Sequence, residues 1–184
     1  LEQEQGIDHR VVRSNEDNTF DMEAFEEACA NAGDRLRMVS LSHVGNLDGV
    51  ATPVKKAAKI AKDHGAMVCI DGAQSAPHMS VDVQDLGIDF YSFSIHKMLG
   101  PSGMGGLWGK TELLESMRTI QSGGQTVKTS TYESLEWAKP PSKFEGGLGH
   151  FAGMMATGAA IDYLTTLDMN EIHAHEHSLN TIWL

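Results

Sequence analysis

Cysteine is nearly absent from the chain: two residues, Cys29 and Cys69, occur among 184. They have no CxxC spacing and no neighbouring ligands, which excludes a zinc ribbon and a disulfide framework. Such sparse cysteine use points to a reducing, cytoplasmic protein. Basic charge is also scarce, with 14 Lys and Arg against 25 Asp and Glu and a net charge of −11. No basic block stands out, so a nucleic-acid surface, which needs clustered Lys and Arg, is not expected. Long apolar runs are missing too. None approaches the roughly 20 residues that cross a bilayer, so no membrane partner is expected. The opening Leu1-Glu2-Gln3-Glu4-Gln5 is polar and acidic, unlike a signal peptide. It lacks an initiator Met, as a cut N-terminus would. No internal repeat is visible.

What is present is an apolar fraction of 41%, suited to a folded globular chain, arranged as alternating strands and helices. His9–Arg13 reads as a short strand. Asp21 caps a helix that runs to about Ala32 and ends at Gly33. Residues Arg35 to Ser42 alternate around Leu36, Met38, Val39 and Leu41 as a strand. Thr52 as cap and Pro53 in the first turn start a helix that reaches about His64 and stops at Gly65. Met67-Val68-Cys69-Ile70 is a continuous apolar run, the pattern of a strand buried on both faces. Asp89 to Ile95 and Met104 to Trp108 follow as strands, and Thr111 caps a helix to about Arg118. Residues 121–149, rich in Gly, Ser, Thr and Pro, read as loop. Phe151 to Leu167 is a long apolar helix, and Asn170 to Leu184 a more polar one. This alternation predicts an α/β sandwich with a mainly parallel sheet. Ligands of such sheets bind beyond the carboxyl ends of the strands.

Three strand ends carry candidate chemistry. Asp71 follows Met67-Val68-Cys69-Ile70 directly and leads into Gly72-Ala73-Gln74; its plain alternative is a turn cap. Ser92-Phe93-Ser94-Ile95-His96-Lys97 closes the next strand. A lysine drawn toward the low-dielectric sheet would lose proton affinity and become nucleophilic; the plain alternative is a surface lysine with a covered stem. Ser42-His43-Val44-Gly45-Asn46 follows an earlier strand, where an Asn is commonly a turn residue. Taken together the residue types suit pyridoxal phosphate. That cofactor needs an imine-forming lysine, a carboxylate at its pyridine nitrogen, donors at its phenolic oxygen and anchors for its phosphate. Lys97, Asp71, Asn46 with Gln74, and Ser94 with His96 supply them.

The run from Arg35 to about Leu167 resembles the class V aminotransferases, pyridoxal-phosphate enzymes of fold type I, and most closely the cysteine desulfurases and selenocysteine lyases. The motifs that carry this are Ser42-His43-Val44-Gly45-Asn46, Asp71-Gly72-Ala73-Gln74, Asp89 through Lys97 with Gly100-Pro101, and Phe144-Glu145-Gly146-Gly147. The resemblance implies a three-layer sandwich, the large cofactor-binding domain. It implies that Lys97 forms the Schiff base and shuttles the substrate α-proton. Asp71 would pair with the pyridine nitrogen, Gln74 and Asn46 would lie at the phenolic oxygen, and Ser94 and His96 would contact the phosphate. His43 would lie near the cofactor without an assigned step. It further implies a small amino-acid substrate, a homodimer whose 121–149 region crosses the interface, and a sulfur-acceptor protein.

Departures from the family pattern are specific. Ile95 stands where relatives often have glycine between serine and histidine, and Leu148 stands where many carry a phosphate-binding threonine. Family members are about twice this length, with a glycine–threonine loop and a ring-stacking residue before this region. A substrate-carboxylate arginine and a persulfide-forming cysteine come after it. Residues 1–167 therefore read as the central part of the large domain, and residues 168–184 as a helix leading toward a C-terminal domain. Cys69 is expected to be buried and inert, and Cys29 half-buried near a helix end. His173, His175 and His177 with Glu176 share a polar helix but lack a third ligand on one face, so no metal is expected. Two function classes stay open: a desulfurase or sister class V activity, and a non-catalytic module that keeps the fold.

Overall fold

The computed structural model describes residues 6–183. The opening Leu1–Gln5 and Leu184 lie outside the described residues. Helix α1 spans Met22–Ala32, started by Asp21, whose carboxylate accepts the Ala24 N–H at 2.9 Å. Strand β1 (Met38–Ser42), helix α2 (Val54–Asp63), β2 (Met67–Asp71), β3 (Phe90–Ser94) and β4 (Gly105–Gly109) follow. The sheet order is β1-β2-β3-β4. The first three strands run parallel and β4 closes antiparallel. Helix α3 (Thr111–Ser116), a hairpin of β5 (Val127–Ser130) and β6 (Leu135–Trp137), and helices α4 (Phe151–Thr165) and α5 (Met169–Trp183) complete the chain. No described helix is long and apolar enough to cross a membrane.

The two faces of the sheet differ. Val39, Val68, Ile70 and Tyr91 are buried on one face, with Phe25 and Cys29 of α1 and Val54, Ala57, Ala58 and Ala61 of α2 in the same core. The three alanines of α2 let the helix lie close, while Lys55, Lys56 and Lys59 point to solvent. On the opposite face Met38 is 49% exposed and Leu107 54%, with Ser40, Ser42 and Asp71 also exposed. An apolar cavity of about 440 Å³ lies on the α1–α2 side of β3, walled by Met79, Val81, Phe93, Trp108, Ile161 and Leu164. Tyr91 is the one ionisable residue in that wall, so the cavity is not where the charged groups meet.

Several expectations need correction. Residues 9–13 form no strand; the segment is irregular and Val11 is 74% exposed. Strand β2 is not buried on both faces: Val68 and Ile70 are fully buried, whereas Met67 is 37% exposed and Cys69 half-buried. The continuous apolar run misled because period alone does not report which face is covered. Thr52 is not a cap. Pro53 holds the N-cap of α2 with no side-chain bond, and the Thr52 carbonyl accepts the Val54 N–H instead. Nor does Thr111 cap α3: the cap is Lys110, whose N–H donates to the carbonyl of Asp89, the residue before β3. The region 121–149 contains the β5–β6 hairpin, which Gly, Ser and Thr content concealed.

Candidate functional site

The carboxyl ends of β1, β2 and β3 are in register, so Ser42, Asp71 and Ser92 form one row across the sheet. Side chains alternate along each strand; this row therefore points to the open face, together with Ser94 one step further on. The chain after β1 stays tied to β2, because the His43 N–H donates to the Asp71 carbonyl at 2.9 Å. It then turns back through Gly45–Val50, with the Val50 N–H on Asp48 Oδ1. Asn46 sits in that turn and its Oδ1 accepts a hydrogen bond from Gln74 Nε2. The turns following β1 and β2 are thereby joined by their amides. Asp71 Oδ1 accepts the Ala73 N–H at 2.9 Å, an Asx turn that fixes the carboxylate and leaves Oδ2 without a described partner.

His96 and Lys97 lie on a single 3-10 turn, Ile95–Met98, directly after β3; His96 is exposed and Lys97 half-buried. The residue that departs from the family pattern, Ile95, is 3% exposed and anchors this turn. A Cβ on Gly100 would stand 2.3 Å from Ile95 Cγ2, so the bulk of Ile95 is matched by a glycine beside it. Ala160 of α4 packs against the same point. Lys97 makes no ion pair or side-chain hydrogen bond to a described residue. Two other lysines further along the chain are committed elsewhere. Lys110 Nζ is 2.8 Å from Asp89 Oδ1. Lys143 is buried and donates to the Glu115 carbonyl at 2.7 Å, capping α3. The 146–147 glycines fold onto the 123–124 glycines through the Gly147 N–H on the Gly124 carbonyl. Leu148 beside them is 86% exposed.

Neither cysteine is activated. Burial, and then the charge of Glu26, push the Cys29 thiol up, and the residue is 2% exposed rather than half-buried. Cys69 faces the open side of the sheet rather than the core. Burial and then Asp71 push its thiol up as well. The histidine-rich α5 uses Glu176 to hold His78 Nδ1 at 2.6 Å. Among the described residues no three His, Cys, Asp or Glu side chains converge as metal ligands.

The sequence profile of the Aminotransferase class-V family matches residues 1–184. The chain belongs to the class-V aminotransferase family. It is 44% identical over 163 residues to a probable cysteine desulfurase of Halalkalibacterium halodurans, covering 89% of this chain and 39% of that one. It is 40% identical over 174 residues to a cysteine desulfurase of Haloferax volcanii, covering 95% and 40%. The fold matches the cysteine desulfurase CsdA of Escherichia coli with a TM-score of 0.85 at 34% identity, over 92% of this chain and 42% of that one. It matches the apo cysteine desulfurase of Thermococcus onnurineus with a TM-score of 0.90 at 30% identity, over 98% and 44%. The α/β fold of these class-V enzymes is thus the fold of this chain, which spans about two fifths of the length of the relatives it matches.

Two features of the candidate site escaped sequence reasoning. The His43 ring is 6% exposed and its Nδ1 is buried without a partner, beside Tyr91 in an edge-on contact of 6.4 Å. Burial pushes the imidazole pKa down, so it is neutral near pH 7. The second is a buried hydroxyl pair, Ser75 with Tyr91, under the Asp71 turn. Nothing in the spacing of residues 16 positions apart signals such a pair.

Proposed function

We propose that the chain is the cofactor-binding core of a pyridoxal-phosphate enzyme that releases sulfur from cysteine and leaves alanine. The observation that carries this reading is the placement of Lys97. It is half-buried, unpaired among the described residues, and one turn beyond the strand whose register partner is Asp71. The donor set fits the cofactor: one available amine, one carboxylate with an open oxygen, an amide pair, and a serine and an imidazole at the sheet's end. When bound, pyridoxal phosphate supplies an electron sink for the α-carbon of an amino acid. Lys97 would hold it covalently and then move the substrate α-proton. Asp71 would keep a proton at the pyridine nitrogen by its nearby opposite charge. Asn46 and Gln74 would bond the phenolic oxygen, and Ser94 and His96 the phosphate. Borohydride reduction with pyridoxal phosphate, followed by peptide mapping, should place the cofactor on Lys97. Label on Lys110 or Lys143 would refute the assignment.

The wider protein is read in the same way. The small amino-acid substrate, cysteine, is supported by the names of the relatives. A homodimer is supported by the apolar side chains on the segment 120–151, where Ile120 is 97% exposed and Leu148 86%. A reducing cytoplasm suits two free thiols. Residues 168–184 would lead on toward a C-terminal domain, and a sulfur-acceptor protein would take the product.

The sulfur-accepting thiol of such a reaction must be accessible and easily ionised. Cys29 and Cys69 are both shifted the wrong way. The 184-residue chain given pyridoxal phosphate, cysteine and a reductant should therefore form negligible alanine, and Cys29→Ser and Cys69→Ser should change nothing. Robust alanine production that either substitution abolishes would show that a thiol of this core does the work.

A further inference from the structure

Beneath the Asp71–Gln74 turn lies a polar pair that the cofactor chemistry does not call for. Tyr91 Oη and Ser75 Oγ are 2.7 Å apart, with Tyr91 4% exposed and Ser75 fully buried. Ser75 Oγ is also 3.4 Å from the Gly72 carbonyl, so the hydroxyl chain runs from Tyr91 to Ser75 to Gly72. The Ser75 and Ala76 N–H groups reach the same carbonyl at 3.1 and 2.9 Å, and the Gly72 N–H donates to Ser92 at 2.8 Å. The phenol ring fills the space below the turn: a Cβ on Gly72 would stand 1.9 Å from Tyr91 Cζ. Burial pushes the Tyr91 phenol up; the Ser75 hydrogen bond opposes this and the Asp71 charge adds to it. The phenol therefore stays protonated. The neutral His43 ring stands edge-on to it. Buried hydroxyls linked in such a chain constrain geometry, because losing one strands the other.

We infer that the Ser75–Tyr91 pair positions Asp71. By gripping the Gly72 peptide it fixes the direction in which the Asp71 carboxylate leaves the sheet, and hence its alignment with a pyridine nitrogen. This rests on the reading of Asp71 given above. Neither residue would touch the cofactor; both act through the turn.

The test uses Tyr91→Phe, Ser75→Ala, their combination, and Asp71→Asn in a chain of full family length. Tyr91→Phe keeps the ring under Gly72, so the fold survives it. Pyridoxal phosphate affinity, the pH midpoint of its visible band and melting temperature are measured for each. Each single substitution should weaken cofactor binding about tenfold, as loss of an orienting partner does elsewhere. Each should move the pH midpoint in the same direction as Asp71→Asn, by less. The double variant should bind no worse than the weaker single one, since the two hydroxyls act as a unit. Melting temperatures that fall while affinity and midpoint stay fixed would reduce the pair to packing and overturn the inference, as would additive losses of affinity. If Asp71→Asn itself left affinity and midpoint unchanged, the role of Asp71 would fail, and the positioning role with it.

Discussion

Asp71→Ala in a chain of full family length should slow exchange of the α-proton of a bound amino acid by about 10²–10³-fold, the range seen when one preorganised charged or hydrogen-bonding group is removed. The size follows from where the carboxylate stands. It ends β2 in register with Ser42 and Ser92 and faces the open side of the sheet. One oxygen is held by the Ala73 N–H and the other has no described partner. A carboxylate so placed is oriented before any ligand arrives, so no reorganisation is needed when charge develops. Folding should hardly notice. Asp71 is exposed and its loss removes one local hydrogen bond, worth about 1 kcal/mol. Exchange measured by deuterium incorporation, beside a thermal melt, checks both halves. Equal exchange in the two proteins would remove Asp71 from the chemistry. A large fall in melting temperature would make it a structural residue.

That Asp71 and Lys97 could be singled out from sequence has a simple cause. Asp71 closes β2 and Lys97 lies on the short turn just past β3, and a strand's end fixes where the residues at its tip go. The parallel β1–β3 ladder was legible for the same reason: short apolar segments alternate with a helix that buries Ala57, Ala58 and Ala61. Other features depended on partners far along the chain. Cys69 reads as core until the sheet's second face is known to be open. The hairpin at 127–137 shows weak alternation because its residues are largely exposed and nothing buried enforces a period. Lys110 and Lys143 look like surface lysines, yet one is bound to Asp89 and the other caps α3. His43 lay within a recognised motif, but its buried, unpartnered Nδ1 depends on the packing of Tyr91.

The largest effect on stability should come from Asp89, at the opposite end of β3 from the site. Asp89 is 2% exposed and its carboxylate gathers three donors. Lys62 and Lys110 bind its two oxygens, the Val68 N–H reaches Oδ2 at 2.8 Å, and its own N–H goes to the Val68 carbonyl at 3.0 Å. Burial alone would raise the carboxyl pKa. The hydrogen bonds from Lys110, Lys62 and Val68 outweigh it and hold the group below its ordinary value. The cluster ties α2, β2, β3 and the start of α3 together at one point. Asp89→Ala strands the Val68 N–H and leaves two ammonium groups facing each other. Removing one partner of a buried ion pair costs about 3–5 kcal/mol. The lower end applies here, because the lysine side chains are 34% and 38% exposed and can turn toward water. For a chain of this size about 3 kcal/mol corresponds to a melting temperature lowered by roughly 6–12 °C. The sign with pH is fixed by the depressed pKa. The contribution is complete above the unfolded aspartate value, about 3.9, and is lost as pH falls through the lower folded value. Melts of the wild type and Asp89→Ala should therefore lie farthest apart at neutral pH and converge in strong acid. A gap that widens as pH falls would mean that Asp89 is not held as a carboxylate by its lysines.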